Sequence, residues 1–220
     1  MTDTDLAPRF HDREEAGRAL GRALRHYRGR RPIVLGIPRG GVPIAAAVAR
    51  ELGGECDVMV ARKLGAPGYP ELAIGAVTAE GEQVLNPDTI TALGVDDDYV
   101  RRVTEAELAE ARARALRFRG DARPLEVKDR EVILCDDGVA TGATIRSCVR
   151  ALCARRPARL IVAVPVGSRE ACRLLRREAD EVVVLGEPEE FRAVSCYYDD
   201  FFPVSDEEVI RLLREKAPAT

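Results

Sequence analysis

Two stretches of this sequence each run in the order strand, glycine-containing turn, helix, strand, which defines a βαβ unit. In the first unit, residues 32–37 form an apolar run too short for a helix, residues 42–52 have helical spacing, and residues 57–61 are again largely apolar. The strands of such a unit are parallel, and a parallel sheet is covered by helices on both faces. The first unit therefore restricts the chain to an α/β fold.

A second unit of the same kind follows further along the chain. Its strands and helix are predicted at residues 131–135, 143–155 and 160–166, with a further helix and strand at 168–177 and 182–185. Neither unit alone can bury both faces of its sheet, so the two must share one core. We predict a single domain over residues 1–220, built on a Rossmann-like parallel sheet flanked by helices, with its core at about residues 31–185.

The segment between the two units shows a different pattern. Residues 63–70 are rich in glycine and proline, which predicts a long mobile loop, and residues 72–78 resume as a strand. Residues 99–119 predict a charged helix in which Glu110 and Arg114 are placed four apart, the spacing of neighbours on a helix surface. We expect this helix to be a solvated cover over the sheet.

Composition excludes several classes of protein. The net charge is −3, which argues against nucleic acid or an anionic membrane as the main partner. The chain has two histidines and no C-x-x-C pair among its six cysteines, so a zinc site is not expected. The first five residues are polar and acidic, unlike a signal peptide, and no apolar run reaches the roughly 18 residues of a membrane span. We expect a cytoplasmic protein with reduced cysteines.

The predicted strand at residues 131–135 ends in two adjacent acids, Asp136 and Asp137. Open α/β sheets bind ligands at the carboxyl ends of their strands, and adjacent side chains there diverge, so the two carboxylates can reach different hydroxyl groups. A helix begins a few residues later, and its free N–H groups can hold a phosphate. Carboxylates for sugar hydroxyls beside a phosphate site predict a ribose phosphate ligand. The intervening residues are mostly small or hydroxyl-bearing, namely Gly138, Val139, Ala140, Thr141, Gly142, Ala143 and Thr144.

Three other interpretations of this loop remain open. An apolar strand ending in two acids is also the magnesium-binding half of ATPases, although the chain lacks the Gly-x-x-x-x-Gly-Lys-Ser/Thr loop that such a site needs. The acids could form a phospho-acceptor pocket, which leaves the Thr-Gly-Ala-Thr turn unexplained. The segment could also be an ordinary connection between a strand and a helix.

Residues 132–144 resemble the signature of type I phosphoribosyltransferases, an apolar run followed by two acids, a Thr-Gly turn and a hydroxyl residue. With the order of elements from Arg31 to Leu185, the resemblance covers about two-thirds of the chain. It implies the type I phosphoribosyltransferase fold with a small hood. It also implies that Asp136 and Asp137 hold the ribose hydroxyls of phosphoribosyl pyrophosphate (PRPP), and Mg²⁺ through those hydroxyls or water. Residues 138–144 complete the implied PRPP site, with the turn at 140–144 on the 5-phosphate.

The same resemblance assigns pyrophosphate to the first strand-to-helix turn, which contains Pro38, Arg39, Gly40 and Gly41. Arg39 supplies charge in this turn, and the glycines allow the backbone to approach a ligand closely. The family often has a non-proline cis peptide at this point that aims backbone N–H groups inward. We therefore predict a cis peptide bond between Pro38 and Arg39.

The family also closes a flexible loop over the reacting centre. Residues 63–71 match this loop in place and composition, with Arg62 and Lys63 as candidate pyrophosphate ligands. The implied reaction is a magnesium-dependent transfer of the phosphoribosyl group from PRPP to a nitrogenous base or similar small-molecule acceptor, with release of pyrophosphate. It proceeds through electrostatics and positioning. The candidate catalytic residues are then Asp136, Asp137, Arg39 and Lys63.

The acceptor is left open by the sequence. Enzymes of this family for 6-oxopurines usually carry an acid at the position of Ala140, so this loop resembles those of the adenine and uracil enzymes. The acceptor usually meets a separate hood, for which the N-terminal helix and residues 186–204 are the candidates. The second candidate contains an aromatic cluster that either stacks on a base or packs the C-terminal segment onto the core, comprising Phe191, Tyr197, Tyr198, Phe201 and Phe202.

As a whole the chain resembles the stand-alone bacterial phosphoribosyltransferases of unassigned acceptor, and two other functions stay open. Some proteins of this fold are regulators that sense PRPP or a nucleotide and bind nucleic acid. An arginine patch such as Arg155, Arg156 and Arg159 would suit that role despite the net charge. A hydrolase or phosphorylase acting on a phosphoribosyl compound is the third function. A homodimer is implied only by analogy with the fold.

Overall fold

The computed structural model describes residues 8–215 and has a central sheet of five strands, all paired in parallel. The predicted Rossmann-like parallel sheet is confirmed. Its order changes direction beside the first strand, and open α/β sheets bind ligands in the crevice at such a point. In spatial order the strands are β2 (Glu55–Val58), β1 (Ile33–Gly36), β6 (Glu131–Cys135), β7 (Arg159–Val166) and β8 (Glu181–Gly186).

Helices cover both faces of this sheet, and the alternation of side chains along the strands divides the core into two halves. Leu134 and Val162 point into one half, whereas Ile133 and Ile161 point into the other. Consecutive residues of β6 are therefore both buried, as expected for a strand covered on both faces. The helices over the first half are α5 (Ala143–Ala154) and α6 (Arg169–Leu175), and those over the second are α1 (Arg13–Ala23) and α2 (Gly41–Leu52).

A second sheet is antiparallel and has three strands. Leu64, Ile74 and Val100 form the centre of its own small core. The charged helix predicted at residues 99–119 is present and begins two residues earlier. The elements of this part are β3 (Ala61–Ala66), β4 (Tyr69–Thr78), β5 (Gln83–Leu85), α3 (Pro87–Leu93) and α4 (Asp97–Arg119).

The prediction of a long mobile loop at residues 63–70 is wrong. β3 and β4 pair as an antiparallel hairpin, and only Pro67 and Gly68 lie between them. Gly68 has a φ of +74°, and a proline followed by a glycine with positive φ suits a type II turn. Of the glycines and prolines that predicted a loop, Pro67 and Gly68 form this turn, whereas Gly65 lies in β3, where the strand pairing is irregular, and Pro70 lies in β4. Pairing between the two strands overrides the local pattern.

The strand predicted at residues 57–61 is divided between the two sheets, because β2 ends at Val58 and β3 begins at Ala61. Asp57, near the end of β2, is buried and accepts a hydrogen bond from Arg119 Nε at 2.7 Å. The same guanidinium donates from Nη1 to Glu80 at 2.8 Å. One buried arginine at the end of α4 therefore holds the second sheet against the first.

The chain after β8 returns to its N-terminal segment. Phe10 and Tyr198 form an isolated parallel bridge, next to a short 3-10 helix at Val194–Tyr197. The last helix, α7 (Asp206–Arg214), begins after Ser205, whose hydroxyl accepts from the N–H of Glu208 at 3.1 Å. Within residues 8–215, no helix has the length and apolar character needed to cross a membrane. The division of the chain into a core and a hood stays a prediction.

Candidate active site at the carboxyl end of the sheet

Two adjacent carboxylates follow directly after β6, at the crevice between β1 and β6. Asp136 Oδ1 accepts a hydrogen bond from the N–H of Asp137 at 2.9 Å. Burial raises the pKa of both carboxyl groups, and the charge of Asp137 raises the pKa of Asp136 further. A hydrogen bond from Arg13 opposes the rise in the pKa of Asp137. Two like charges therefore share a poorly solvated place, where a cation or the hydroxyl groups of a ligand would stabilise them.

Arg13, the first residue of α1, is a site residue that the sequence did not reveal. Its Nε donates to Asp137 Oδ2 at 2.9 Å, and its Nη1 donates to the carbonyl oxygen of Phe202 at 2.9 Å. The guanidinium carbon lies 3.8 Å from the centroid of the Phe201 ring, which is a cation–π contact. Arg13 thus joins the first helix, the C-terminal segment and the acid pair. No local signal marks it, because its carboxylate partner is 124 residues away along the chain.

The segment after β8 lies over the acid loop. Tyr198 is buried, and its hydroxyl donates to the carbonyl oxygen of Asp137 at 2.6 Å. A Cβ added to Gly138 would come within 2.6 Å of the Val194 side chain, so the loop and the segment are in close contact. Tyr198 therefore packs the C-terminal segment onto the core, one of the two roles predicted for the aromatic cluster. Phe202 differs, since it is 79% exposed.

The turn between the acids and α5 has the geometry of an anion site. Gly142, at the N-cap position of α5, has a φ of +76° and offers no side chain to cap the helix. The N–H of Ala143 makes only a long contact of 3.4 Å with Thr141 Oγ. The first N–H groups of a helix lack intrahelical partners, so they are available to a phosphate at this end of α5. Thr141 and Thr144 are exposed at the same end and add two hydroxyl groups.

The glycine turn after β1 lies directly against the acid pair. The Pro38–Arg39 peptide bond is cis, as predicted. A Cβ added to Gly40 would overlap Asp137 Oδ2 and lie 2.6 Å from Asp137 Cγ. A Cβ added to Gly41 would lie 2.6 Å from the carbonyl oxygen of Cys135. No side chain fits at either position, and the structure thus brings the predicted pyrophosphate turn into contact with the predicted ribose-binding acids.

Arg39 and Arg62 line one cleft next to this turn. Arg39 Nη1 lies 3.4 Å from Asp206 Oδ1, and Arg62 Nε donates to Glu107 at 2.7 Å. Lys63 is exposed and lies on the opposite face of β3 from Arg62, because successive side chains of a strand point to opposite faces. The structure therefore brings Arg39 and Arg62 together and places Lys63 apart from them.

A parallel α/β sheet in which an acid pair, the uncapped start of a helix and a glycine turn meet at one crevice is typical of the type I phosphoribosyltransferase fold. Residues 11–200 match the phosphoribosyl transferase domain, and the chain belongs to this family.

Relatives of known sequence and structure agree with this assignment. Two curated proteins from strains of Mycobacterium tuberculosis, each provisionally named a phosphoribosyl transferase, are 40% identical to this chain over 204 residues. That match covers 93% of this chain and 46% of each relative, so the chain spans about half of their length. The crystal structure of TT1426 from Thermus thermophilus is similar over 93% of this chain and 97% of that protein, with 46% identity and a TM-score of 0.85.

Proposed function

We propose that this protein is a magnesium-dependent phosphoribosyltransferase that uses PRPP, transfers the phosphoribosyl group to a nitrogenous base or similar acceptor, and releases pyrophosphate. The observation that carries the proposal is the meeting of three parts: the acid pair Asp136–Asp137, the uncapped start of α5, and the glycine turn Gly40–Gly41. Each part suits one portion of PRPP, and membership of the family supports the same assignment.

The acid loop holds the phosphoribosyl group in this proposal. Asp136 and Asp137 accept hydrogen bonds from the ribose hydroxyls, while the first N–H groups of α5 and the hydroxyls of Thr141 and Thr144 hold the 5-phosphate. Arg13 keeps the Asp137 carboxylate in place through its 2.9 Å hydrogen bond. A ligand held at both ends presents its anomeric carbon in a fixed position, which lowers the entropic part of the barrier.

The turn after β1 holds the leaving group. Negative charge grows on pyrophosphate as its bond to the anomeric carbon breaks, while positive charge grows on the ribose ring. Arg39, the backbone of the turn and Arg62 stabilise the leaving group, and Lys63 adds to them when the hairpin moves over the bound ligand. The acid pair places negative potential near the ring. The acceptor nitrogen forms its bond to the anomeric carbon as the bond to pyrophosphate breaks, without a covalent intermediate on the protein, and its proton passes to water or to the departing pyrophosphate.

Magnesium fits the donor set of this site. Carboxylate oxygens suit Mg²⁺, which is usually held by one or two carboxylates together with water and substrate phosphates. Asp136 and Asp137 offer such oxygens, and burial raises the pKa of each group despite the nearby charge of Arg13. These two residues would hold the ion through ribose hydroxyls or water, and the ion supplies charge neutralisation at the pyrophosphate.

The acceptor meets the protein beside the acid loop. Ala140 presents no acid to a base there, and its carbonyl oxygen is occupied by a hydrogen bond from Ser168 Oγ at 2.6 Å. A loop-borne general base is therefore absent at this position, which favours adenine or uracil over a 6-oxopurine as the acceptor. Phe202 follows shortly after Tyr198, which covers the acid loop, and its ring is exposed. It is therefore our candidate for stacking on a base.

The proposal is tested by calorimetric titration of PRPP with Mg²⁺ into the parent protein and into Asp136→Asn/Asp137→Asn. We expect binding by the parent and its loss in the double variant. The matched control is Asp97→Asn/Asp98→Asn, which changes an exposed adjacent acid pair at the start of α4 and should bind as the parent does. Pyrophosphate release is then screened with adenine, uracil and other bases. No PRPP binding by the folded parent protein would refute the proposal.

A further inference from the structure

Beyond the acid loop, an arginine cleft of about 470 Å³ opens beside the cis turn. We call it the arginine cleft because four arginines line it. Arg39 comes from the turn, Arg62 from β3, and Arg114 and Arg117 from α4. The acidic residues of the lining are Glu110 and Asp206. Three separate elements thus direct four guanidinium groups to one place, although the whole chain carries a net charge of −3.

Three of the four arginines have carboxylate partners. Asp206, the first residue of α7, lies between two of them, with Oδ1 at 3.4 Å from Arg39 Nη1 and Oδ2 at 2.9 Å from Arg117 Nη1. Arg62 pairs with Glu107 at 2.7 Å. Because the single Asp206 carboxylate is shared by two arginines, the cleft keeps a net positive charge.

Arg114 forms no ion pair or hydrogen bond with a carboxylate in the described part of the chain, and Asp206 acts on it only through its charge. The ion pair that the four-residue spacing from Glu110 suggested does not form; the Arg114 guanidinium carbon instead lies 5.6 Å from the centroid of the Phe118 ring. Partial burial, together with the positive charges of Arg39 and Arg62, lowers the pKa of Arg114, and the negative charge of Asp206 opposes this only in part. A poorly solvated cation that faces two others costs free energy unless an anion compensates it.

We propose that the arginine cleft binds a polyphosphate anion and that Arg114 of α4 is its principal binding residue for that anion. The proposal rests on the proposed function only in identifying the anion as the pyrophosphate of PRPP, since the cleft begins at Arg39 beside the acid pair. A guanidinium group donates several hydrogen bonds in a planar fork that suits phosphate oxygens. Asp206 competes with the anion for Arg39 and Arg117, so it limits the affinity.

The test is calorimetric titration of inorganic pyrophosphate, and separately of ribose 5-phosphate, at low ionic strength. Arg114→Gln should weaken pyrophosphate binding by about tenfold, the loss expected for charge-assisted hydrogen bonds to one guanidinium. Its ribose 5-phosphate affinity should stay unchanged, because that ligand would bind at the acid loop. Arg102→Gln, on the exposed surface of the same helix, is the matched control and should behave as the parent does.

A second variant is expected to gain affinity for pyrophosphate, which a misfolded protein would not do. Asp206→Asn removes the competing charge and should strengthen pyrophosphate binding by about threefold, within the range of a partly exposed ion pair. Circular dichroism establishes that each variant is folded.

Pyrophosphate binding that is equal in Arg114→Gln and the parent, or absent from both, overturns the proposal. A folded Arg114→Gln that loses both ligands to the same extent also overturns it. Pyrophosphate binding that depends on Arg114 in a protein that does not bind PRPP would support the cleft and refute the transferase. PRPP and pyrophosphate affinities that are unchanged in Arg114→Gln, with PRPP binding lost in Asp136→Asn/Asp137→Asn, would support the transferase and refute the cleft.

Discussion

Arg13 Nε lies 2.9 Å from Asp137 Oδ2, and both side chains are largely buried, at 11% and 17% exposure. This pair joins the first turn of α1 to the loop that follows β6. The same guanidinium donates to the carbonyl oxygen of Phe202, so one side chain joins the acid pair, the first helix and the C-terminal segment. The position of Asp137 is therefore set by residues from both ends of the chain.

Arg13→Ala should lower the free energy of unfolding by about 2–3 kcal/mol, because it leaves a buried carboxylate beside another without its counter-charge. Urea denaturation measures this, and Asp137→Asn in a double-mutant cycle should give a coupling of about 1 kcal/mol or more. Arg9→Ala is the control, since its ion pair with Asp199 is exposed and should contribute less than about 0.5 kcal/mol. Equal effects of Arg9→Ala and Arg13→Ala would contradict the role given to Arg13.

Gly40→Ala tests the contact between the glycine turn and the acid pair. Gly40 has helical dihedral angles that alanine adopts readily, so any cost must come from the overlap of the new Cβ with the Asp137 carboxylate. We expect a loss of about 1–3 kcal/mol in the free energy of unfolding, the usual cost of overpacking. Asp137→Ala removes the overlapping atoms, so adding Gly40→Ala to it should cost almost nothing further. Additive losses in the double variant would show that the two residues are not in contact.

The acid loop and the glycine turn could be predicted from the sequence because each is a local feature. Asp136 follows its strand directly, and the glycines at 40 and 41 follow theirs, so the parallel sheet alone brings both to one crevice. The hairpin of β3 and β4 could not be predicted in the same way. Its glycines and prolines have the pattern of a loop, and only the pairing of β3 with the next strand, β4, makes the segment regular.

Arg13 and Arg114 show a second limit of local patterns. Arginine is abundant along this chain, and about half of its arginines lie in α-helices, where spacing predicts ion pairs with acids four residues away. Arg114 follows Glu110 at that spacing, yet packing of α4 against its neighbours turns its guanidinium towards Arg39 and Arg62. Which arginine reaches a site depends on how helices pack, and that information is spread over the whole chain.

Lys63→Ala tests the role proposed for the hairpin. Lys63 lies on the opposite face of β3 from the cleft, so it can act on pyrophosphate only when the hairpin moves over the bound ligand. Its removal should lower kcat more than the affinity for PRPP, whereas Arg62→Ala should weaken PRPP binding in the resting protein. Steady-state kinetics and calorimetry separate these effects. Lys128→Ala, an exposed lysine elsewhere, is the control, and an unchanged kcat in Lys63→Ala would refute the assignment.

Arg119→Ala tests how the second sheet is held against the first. Arg119 is about 10% exposed and binds Asp57 of β2 and Glu80 after β4, at 2.7 and 2.8 Å. Removing it leaves two buried carboxylates without a counter-charge, which should cost about 3–5 kcal/mol in the free energy of unfolding. Arg101→Ala is the matched control on the same helix; its ion pair with Asp98 is 65% and 69% exposed, so thermal and urea denaturation should hardly change. Because Arg119 joins the two sheets, amide hydrogen exchange in Arg119→Ala should also increase first in β3 and β4. Uniform loss of protection across both sheets would contradict this role and would indicate that the sheets unfold as one cooperative unit.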